Sequence, residues 1–450
     1  MAKRQSRFDA DVIVIGAGVS GLAAARDLCR AGLDVVMLEA RDRIGGRILT
    51  QHSSAGVPIE LGAEFIHGAD NETWPIARDA KLAVVDVADG HLLFDHDHLG
   101  ECNDMWDELE KIMSRLKDAD PRSSFADYLK RYGSARRLRR ARRTAIAFVE
   151  GFHAARLERI SVGSLLKAAQ AESEDGATDS FRVLNGYSSV PNAILDRIPA
   201  ERFTLRLNTI VRRIEWARGS VAVHAQSSKK TVLRMLRAPR AVVTLPLGVL
   251  QEPGAVVFEP ELGDTRDAIQ KLAMGTAVRL VLQFKSAFWE DDSLKKRMKA
   301  NLKQLSFIHA PGEPVLALWT TLPVRTPVLT AWSAGSVGES LAARRRDEIL
   351  DTVLRSIARF FRVTRHTLRA QLEDWHYHDW SADRFSRGAY SYIPVEAIDG
   401  PERLAKPLAD TLYFAGEATD SQGDWGTVHG AIRSGYRVAK EIVKSSRLRR

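Results

Sequence analysis

The sequence predicts an α/β chain in which a Rossmann-like dinucleotide-binding domain is interleaved with an α+β domain. Three observations predict it. A strand–glycine–helix–strand unit occupies Asp11 to Arg47. Further buried-strand patterns return in the middle and at the end of the chain. Two stretches of different character, helical and then strand-rich, interrupt them.

The opening unit begins with Val12-Ile13-Val14-Ile15, a β-branched apolar run that suits a strand covered on both faces. Gly16, Gly18 and Gly21 follow in G-x-G-x-x-G spacing, with Ser20 between the last two. Gly16 permits a sharp turn, Gly18 a close approach of backbone to a pyrophosphate, and Gly21 tight packing of the next helix. Val35-Val36-Met37-Leu38 is the second strand and Glu39 closes it, where a carboxylate can accept both hydroxyls of a ribose. This unit alone fits NAD or FAD. The continuation through Ala40, Arg41, Gly45, Gly46 and Arg47 adds a second glycine pair and arginines, which suit the longer diphosphate and ribityl chain of FAD.

Val57 to Gly68 reads as a short strand ending at Gly62-Ala63, where backbone could approach a flat ring; Glu64, Phe65 and His67 follow. Residues 86–110 are acid-rich and 105–175 read as helical. The run Arg136 to Arg143 lacks interleaved aromatics and reads as a solvated helix face, so nucleic acid is not an expected partner. Phe203–Leu207 and Ile210–Ile214 alternate like strands and are expected to pair with Val221–His224, as a ribbon added to the nucleotide-binding sheet. Ala241–Leu245 is another buried strand, ended by Pro246. Ala277–Phe284 is a strand with one charge, Arg279; Val315–Trp319 and Val328–Trp332 read as strands, and Arg346 to Phe360 as a helix. Leu412–Phe414 leads into Gly416-Glu417, and Thr427-Val428 opens the last helix. The expected division is 1–80, 182–262 and 394–450 for one domain, 81–181 and 263–393 for the other.

The whole chain sets bounds. Its 450 residues are 45% hydrophobic, enough for a sizeable core, and its formal net charge is +9. Only Cys29 and Cys102 occur, which fits a reducing compartment and a cytoplasmic location. MAKRQSR at the start lacks signal-peptide anatomy, SSRLRR at the end reads as a frayed tail, and no apolar run approaches ~18 residues, so no membrane span is expected. His376, His378 and Asp379 lie close together but no second cluster has ligand spacing, and no metal is expected.

GAGVSGLAAA with EARDRIGGR, LGAEFIHG, the strand containing Val211, TLPLGVL, MGTAVRLVLQF with AFW, GAYSY, and YFAGEAT with GTVHGA together resemble the flavin-dependent amine oxidases. His67-Gly68 and the TVHGA ending look more like polyamine oxidases and lysine-specific histone demethylases than monoamine oxidases. A histone demethylase is not expected, because neither an N-terminal helical domain nor a nucleosome-binding insertion appears. The resemblance implies FAD in the first domain, its ring facing a cavity roofed by the second, in the amine oxidase architecture of the glutathione-reductase-2 type. By position it places Glu39 on the adenosine ribose, and Arg41 and Arg47 along the diphosphate or ribityl path. Gly62, Ala63, Glu64 and Phe65 then border the flavin, Val211 meets the adenine, and Gly416-Glu417 meets the ribityl end. Thr427 and Val428 face the pyrimidine edge, where a helix N-terminus suits the charge of reduced flavin.

The implied reaction is oxidation of an amine carbon–nitrogen bond to an imine, hydrolysed to an aldehyde or ketone, with electrons returned to oxygen or another acceptor. Rival readings are a desaturase- or protoporphyrinogen-oxidase-like reaction, or a structural flavin with a binding role. Ala389 stands where monoamine oxidases attach flavin through cysteine, so non-covalent FAD is expected. Tyr390 and Trp380, which alone would read as core, become an aromatic wall in the family context. Thr427 takes the place of the second aromatic. Arg279 stands where the family has a lysine associated with reaction with oxygen. It either keeps a positive charge there or makes oxygen a poor acceptor. His67 reads equally as an active-site group or a satisfied core histidine. The acids at 86–110 and 172–179 either rim an entrance for a cationic amine or lie on solvated loops.

Overall fold

A computed structural model describes residues 8–53, 56–102, 104–175, 179–227, 235–298, 300 and 302–447. The MAKRQSR start and the last three residues of SSRLRR lie outside them.

The strand Val12–Ile15 sits at the centre of a five-stranded parallel sheet, ordered Phe203–Arg206, Val35–Leu38, Val12–Ile15, Arg240–Val243, Leu412–Phe414. Its alternate residues enter opposite apolar clusters, Ile13 and Ile15 one, Val12 and Val14 the other. That two-sided burial is why the run is continuous rather than alternating. The glycine helix, Val19–Arg30, packs against the closing helix, Val428–Arg447, with Gly435 admitting Ser20 and Ala23 at close range.

Two expectations for the middle block are corrected. Phe203–Arg206 does not pair with the ribbon; it is the edge strand of the parallel sheet, aligned on Val35–Leu38. The ribbon itself, Thr209–Ala217 with Ser220–Ser227, is not added to that sheet. It forms a separate four-stranded sheet with Leu236–Ala238 and Val257–Glu259. Ile214, Val223 and Phe258 face the parallel sheet across a shared core, so burial is gained by stacking rather than edge pairing.

A seven-stranded sheet runs Leu372–Tyr377, Ala277–Phe284, Val328–Ala334, Ala317–Trp319, Phe307–His309, His91–Asp95, His98–Glu101. The amphipathic helix Arg346–Phe361 covers one face with Ile349, Val353, Ile357 and Phe360. Helices Met105–Met113, Phe125–Tyr132, Arg139–His153 and Val162–Asp175 pack around Phe125, Tyr128 and Leu129. The arginine run opens the third of these; Arg136, Arg137, Arg139, Arg140 and Arg142 are exposed, as a solvated face requires. Phe65–His67 pairs with Ser180–Val183, which also pairs with Val84–Asp86. Among the described residues no helix is long and apolar enough to cross a membrane, and no group of three or more side chains is placed to hold a metal ion.

Candidate active site

A cleft along the C-terminal ends of the parallel strands opens into one cavity of about 1580 Å3. At its first end the backbone turns at Gly16, φ +107°, where a Cβ would meet the Thr244 hydroxyl at 2.6 Å. Gly21 is tighter still, its Cβ position 2.1 Å from the Gly16 carbonyl oxygen. Gly18 and Gly416 differ: a Cβ at either meets nothing within 4 Å, and both line the cavity. Those two glycines leave a trough along the N-terminus of Val19–Arg30, whose cap makes no side-chain hydrogen bond. Free backbone N–H groups on a helix N-terminus beside an open trough fit a pyrophosphate.

Glu39 is buried at the end of its strand. Its Oε2 accepts from Ala17 N and its Oε1 from Arg41 N, each at 2.8 Å, which fixes the carboxylate at the cavity wall. Ala40, Gly45, Gly46, Val211 and Val428 line the same wall. The arginines are spoken for. Arg41 donates to Asp383 and Ser386, both at 2.9 Å, and Arg43 donates to the carbonyls of Ile44, Ile48 and Gly46, shaping the glycine pair. Arg47 donates to the Ala389 carbonyl at 2.9 Å and pairs with Glu417 at 2.8 Å. The second Glu417 oxygen accepts from Ser391 Oγ and N and from Gly426 N. This carboxylate therefore ties three segments together. Its oxygens are turned into protein partners, while Gly416 and Glu417 both line the cavity. Ser20 Oγ lies 3.0 Å from Ser434 Oγ, which accepts from Gly416 N, so these serines join the two helices to the trough.

At the second end, Glu64 is buried between two guanidinium groups. Its Oε1 accepts from Arg182 Nε at 2.8 Å, and its Oε2 accepts from Trp319 Nε1 at 3.0 Å and pairs with Arg279. Arg279 also donates to the Gly62 carbonyl and lies 5.2 Å from the Trp319 ring centroid. Burial lowers its pKa to about 10, so it remains charged at neutral pH. Its Nε is buried out of reach of the cavity and has no hydrogen-bond partner among the described residues. Trp380 is buried, donates from Nε1 to the Leu61 carbonyl at 2.7 Å, and rests against Gly62. Tyr390 packs over Gly426 and donates its hydroxyl to the Phe152 carbonyl at 2.7 Å. His67 has its Nδ1 3.3 Å from Ser180 Oγ, and burial, then His429, lowers its pKa to about 4. It is a neutral wall group. Thr427 lines the cavity, and its hydroxyl donates to the Asp424 carbonyl and accepts from Gly430 N, capping the last helix.

A family model described as flavin containing amine oxidoreductase matches residues 19–443. The chain belongs to that family. A lysine-specific histone demethylase 1 homolog 2 of Oryza sativa subsp. japonica is 30% identical over 468 residues, 98% of this chain; the chain spans 58% of that relative's length. A polyamine oxidase 4 of the same organism is 28% identical over 478 residues, covering 98% of this chain and 90% of its own. Among solved structures, a putrescine oxidase double mutant superposes with a TM-score of 0.79 at 20% identity, covering 97% of this chain and 99% of that one. Cyclohexylamine oxidase from Brevibacterium oxydans IH-35A gives 0.77 at 22%, covering 98% and 100%.

In this amine oxidase the residues expected at the site, except Gly21, which packs behind Gly16, lie along a single cavity. Several wall residues carried no sequence signal. Phe152 is 44% exposed and faces the cavity beside Tyr390. Its ring stacks on Phe148 at 5.3 Å and meets His67 edge-on at 5.8 Å. The backbone there is pinned twice, by Trp332 Nε1 to the Gly151 carbonyl at 2.8 Å and by the Tyr390 hydroxyl. Read as sequence, Phe148 and Phe152 are ordinary helix residues four apart. Glu172 and Asp179 line the cavity, as do Asp86, Asp89 and Glu110; the side chains at 174–178 lie outside the described residues.

Proposed function

We propose that this amine oxidase oxidises aliphatic amines with FAD held in the trough without a covalent bond. The observation that carries the reading is the junction of trough and aromatic chamber. Gly416, Gly426 and Val428 edge the first, and Tyr390, lying on Gly426, begins the second. The open cradle at Gly18 and Gly416 and the anchored Glu39 fit the pyrophosphate and ribose of a dinucleotide. Neither cysteine lines the cavity, which supports non-covalent attachment. Bound FAD supplies the two-electron acceptor for the carbon next to the amine nitrogen.

The chain's own residues do the rest. Tyr390, Phe152, Phe148 and Trp380 hold the alkyl part of the amine and keep water from it. His67 adds no charge. An amine arrives as an ammonium and must lose a proton before its carbon can be oxidised. Glu172 is the cavity carboxyl suited to take it: burial, then the nearby Asp424, pushes its pKa up to about 7. Arg279 is locked on Glu64, Gly62 and Trp319, so it cannot do what a mobile lysine would. That supports a non-oxygen acceptor for the returning electrons. The two-part division given above belongs to the same proposal. It is supported by strands of the parallel sheet and of the seven-stranded sheet falling in separate parts. So does a reducing, cytoplasmic setting, supported by two free cysteines.

Incubating the FAD-loaded protein with short alkylamines, diamines and polyamines, and trapping carbonyl products with a hydrazine, tests the reading. The expected result is one aldehyde per two electrons delivered to an artificial acceptor. Absence of any carbonyl product with every amine would overturn it.

A further inference from the structure

The trough has a cover that the reaction as proposed does not use. Residues 383–388 reach from one side of the central strand to the other. On one side Asp383 and Ser386 both accept from Arg41, each at 2.9 Å, and Arg41 follows the strand Val35–Leu38. On the other side the Arg387 carbonyl rests on Gly248, leaving no room for a Cβ there, and Arg387 pairs with Glu252 at 3.2 Å. Gly248 and Glu252 belong to the helix Leu247–Gln251 and its C-cap, which follow the strand Arg240–Val243. Val12–Ile15 lies between those two strands in the sheet. The segment therefore spans its C-terminal end, where the chain turns at Gly16 and the trough begins.

This strap is fixed in place. Asp383 Oδ2 also lies 2.8 Å from His378 Nε2, and its Oδ1 accepts from Phe385 N at 2.8 Å. The Asp383 carbonyl accepts from Ser386 N and Arg387 N, and Gly388 N donates to the Trp380 carbonyl at 2.9 Å. The Phe385 ring carries two guanidinium groups, Arg41 at 5.4 Å and Arg384 at 4.6 Å from its centroid.

The segment that faces the strap is held differently. Glu252-Pro253-Gly254-Ala255 is a turn in which Ala255 N donates to the Glu252 carbonyl at 3.2 Å. Gly254 has φ +73°, the conformation a type II turn needs at its third residue, and proline precedes it. Pro253 and Gly254 are exposed. Among the described residues the Arg387–Glu252 pair is the one ion pair that ties this turn to the strap, and its side chains are 35% and 39% exposed. Residues 384–387 and 252–256 all line the cavity.

We propose that the turn 252–255 is a lid on the cofactor trough, latched to the strap by Arg387 and Glu252, and that FAD enters and leaves by parting the two. The inference rests on the FAD-binding reading above. An exposed ion pair is worth little and is screened by salt, so this latch slows passage without sealing the trough. It acts on a cofactor that no covalent bond retains.

The test is stopped-flow flavin fluorescence, giving the association and dissociation rate constants of FAD for the natural protein, for Glu252→Lys and for the charge swap Glu252→Lys with Arg387→Glu. Both side chains are partly exposed, so the fold is not at stake. Glu252→Lys sets two cations face to face. It should raise both rate constants about fivefold and leave their ratio, the FAD dissociation constant, within about twofold. The swap should return both rate constants to the natural values. A rise in dissociation alone would make Glu252 an ordinary binding contact and overturn the lid. So would unchanged rate constants, or a swap that restores neither. A natural protein that binds no FAD would instead remove the dinucleotide reading, and the lid with it.

Discussion

Replacing Glu64 with glutamine removes one negative charge from between two buried guanidinium groups and leaves the size unchanged. Glu64 and Arg279 side chains are 8% and 6% exposed, and Arg182 is 11%. Burial lowers both arginines to about 10, and both stay protonated at neutral pH. The variant therefore strands two cations, with Glu60, itself held by Thr50 and the Tyr187 N–H, as the remaining nearby acid. Breaking a buried pair by removing one partner costs about 3–5 kcal/mol, and the glutamine oxygen retains one acceptor, so about 3 kcal/mol is expected. For a chain of 450 residues unfolding as one unit that corresponds to a fall in the thermal midpoint of about 3 °C. The assay is thermal unfolding of the FAD-loaded protein by circular dichroism and flavin fluorescence. Trp319→Phe is the internal control. It deletes the neutral Nε1–H bond to the same carboxylate and trims the ring beside Arg279 while leaving the charges paired, and should cost about 1–2 kcal/mol. A Glu64→Gln shift no larger than that of Trp319→Phe would refute the role of Glu64 as shared counterion.

Other consequences follow from the site. Gly18→Ala keeps an allowed backbone, φ −71° and ψ 172°, and its methyl meets no protein atom. The apoprotein should melt as before, while the FAD dissociation constant rises about tenfold or more, measured by flavin fluorescence titration. Thr427→Ala should lower stability by about 1 kcal/mol through loss of the helix cap, with the amine rate constant nearly unchanged. A large kinetic loss without a stability loss would instead make the Thr427 side chain a substrate-contacting group. Glu172 keeps its proton to a higher pH folded, about 7, than its ordinary 4.5. Its contribution to stability is therefore present below about 4.5 and lost as pH rises to 7. Its charge, and so its capacity to accept the ammonium proton, grows in as pH rises through about 7. Flavin reduction should rise through pH 7, and Glu172→Gln should flatten that limb; an unchanged pH profile in the variant would exclude it.

The parts of this protein legible in its sequence are those decided locally. Gly16, Gly18 and Gly21 each occupy the turn, open and packed positions that their spacing implied, because strand, turn and helix lie within a dozen residues. In the run Arg136 to Arg143 five arginines proved exposed, while Ala141 turns inward to the core. What the sequence hid depends on distant partners. Glu64 meets Arg182, 118 residues away, and Trp319, 255 away; Arg279 meets Gly62, 217 away. Glu417 sits where a ligand contact was expected, but Arg47, Ser391 and Gly426 take up its oxygens. Phe203–Arg206 has the alternation of a hairpin strand, yet a free edge at Val35–Leu38 claims it. Phe152 reads as one more helix residue; only the clamp on the carbonyls of Gly151 and Phe152 makes it a wall.

The central claim is that the trough and the aromatic chamber work together on an amine. Anaerobic mixing of the FAD-loaded protein with aliphatic amines, followed by flavin absorbance, tests it most directly. The account requires bleaching of the oxidised flavin band by at least one chain-like amine, with a rate that saturates in amine. Flavin that is bound in full and bleached by none of them would contradict it.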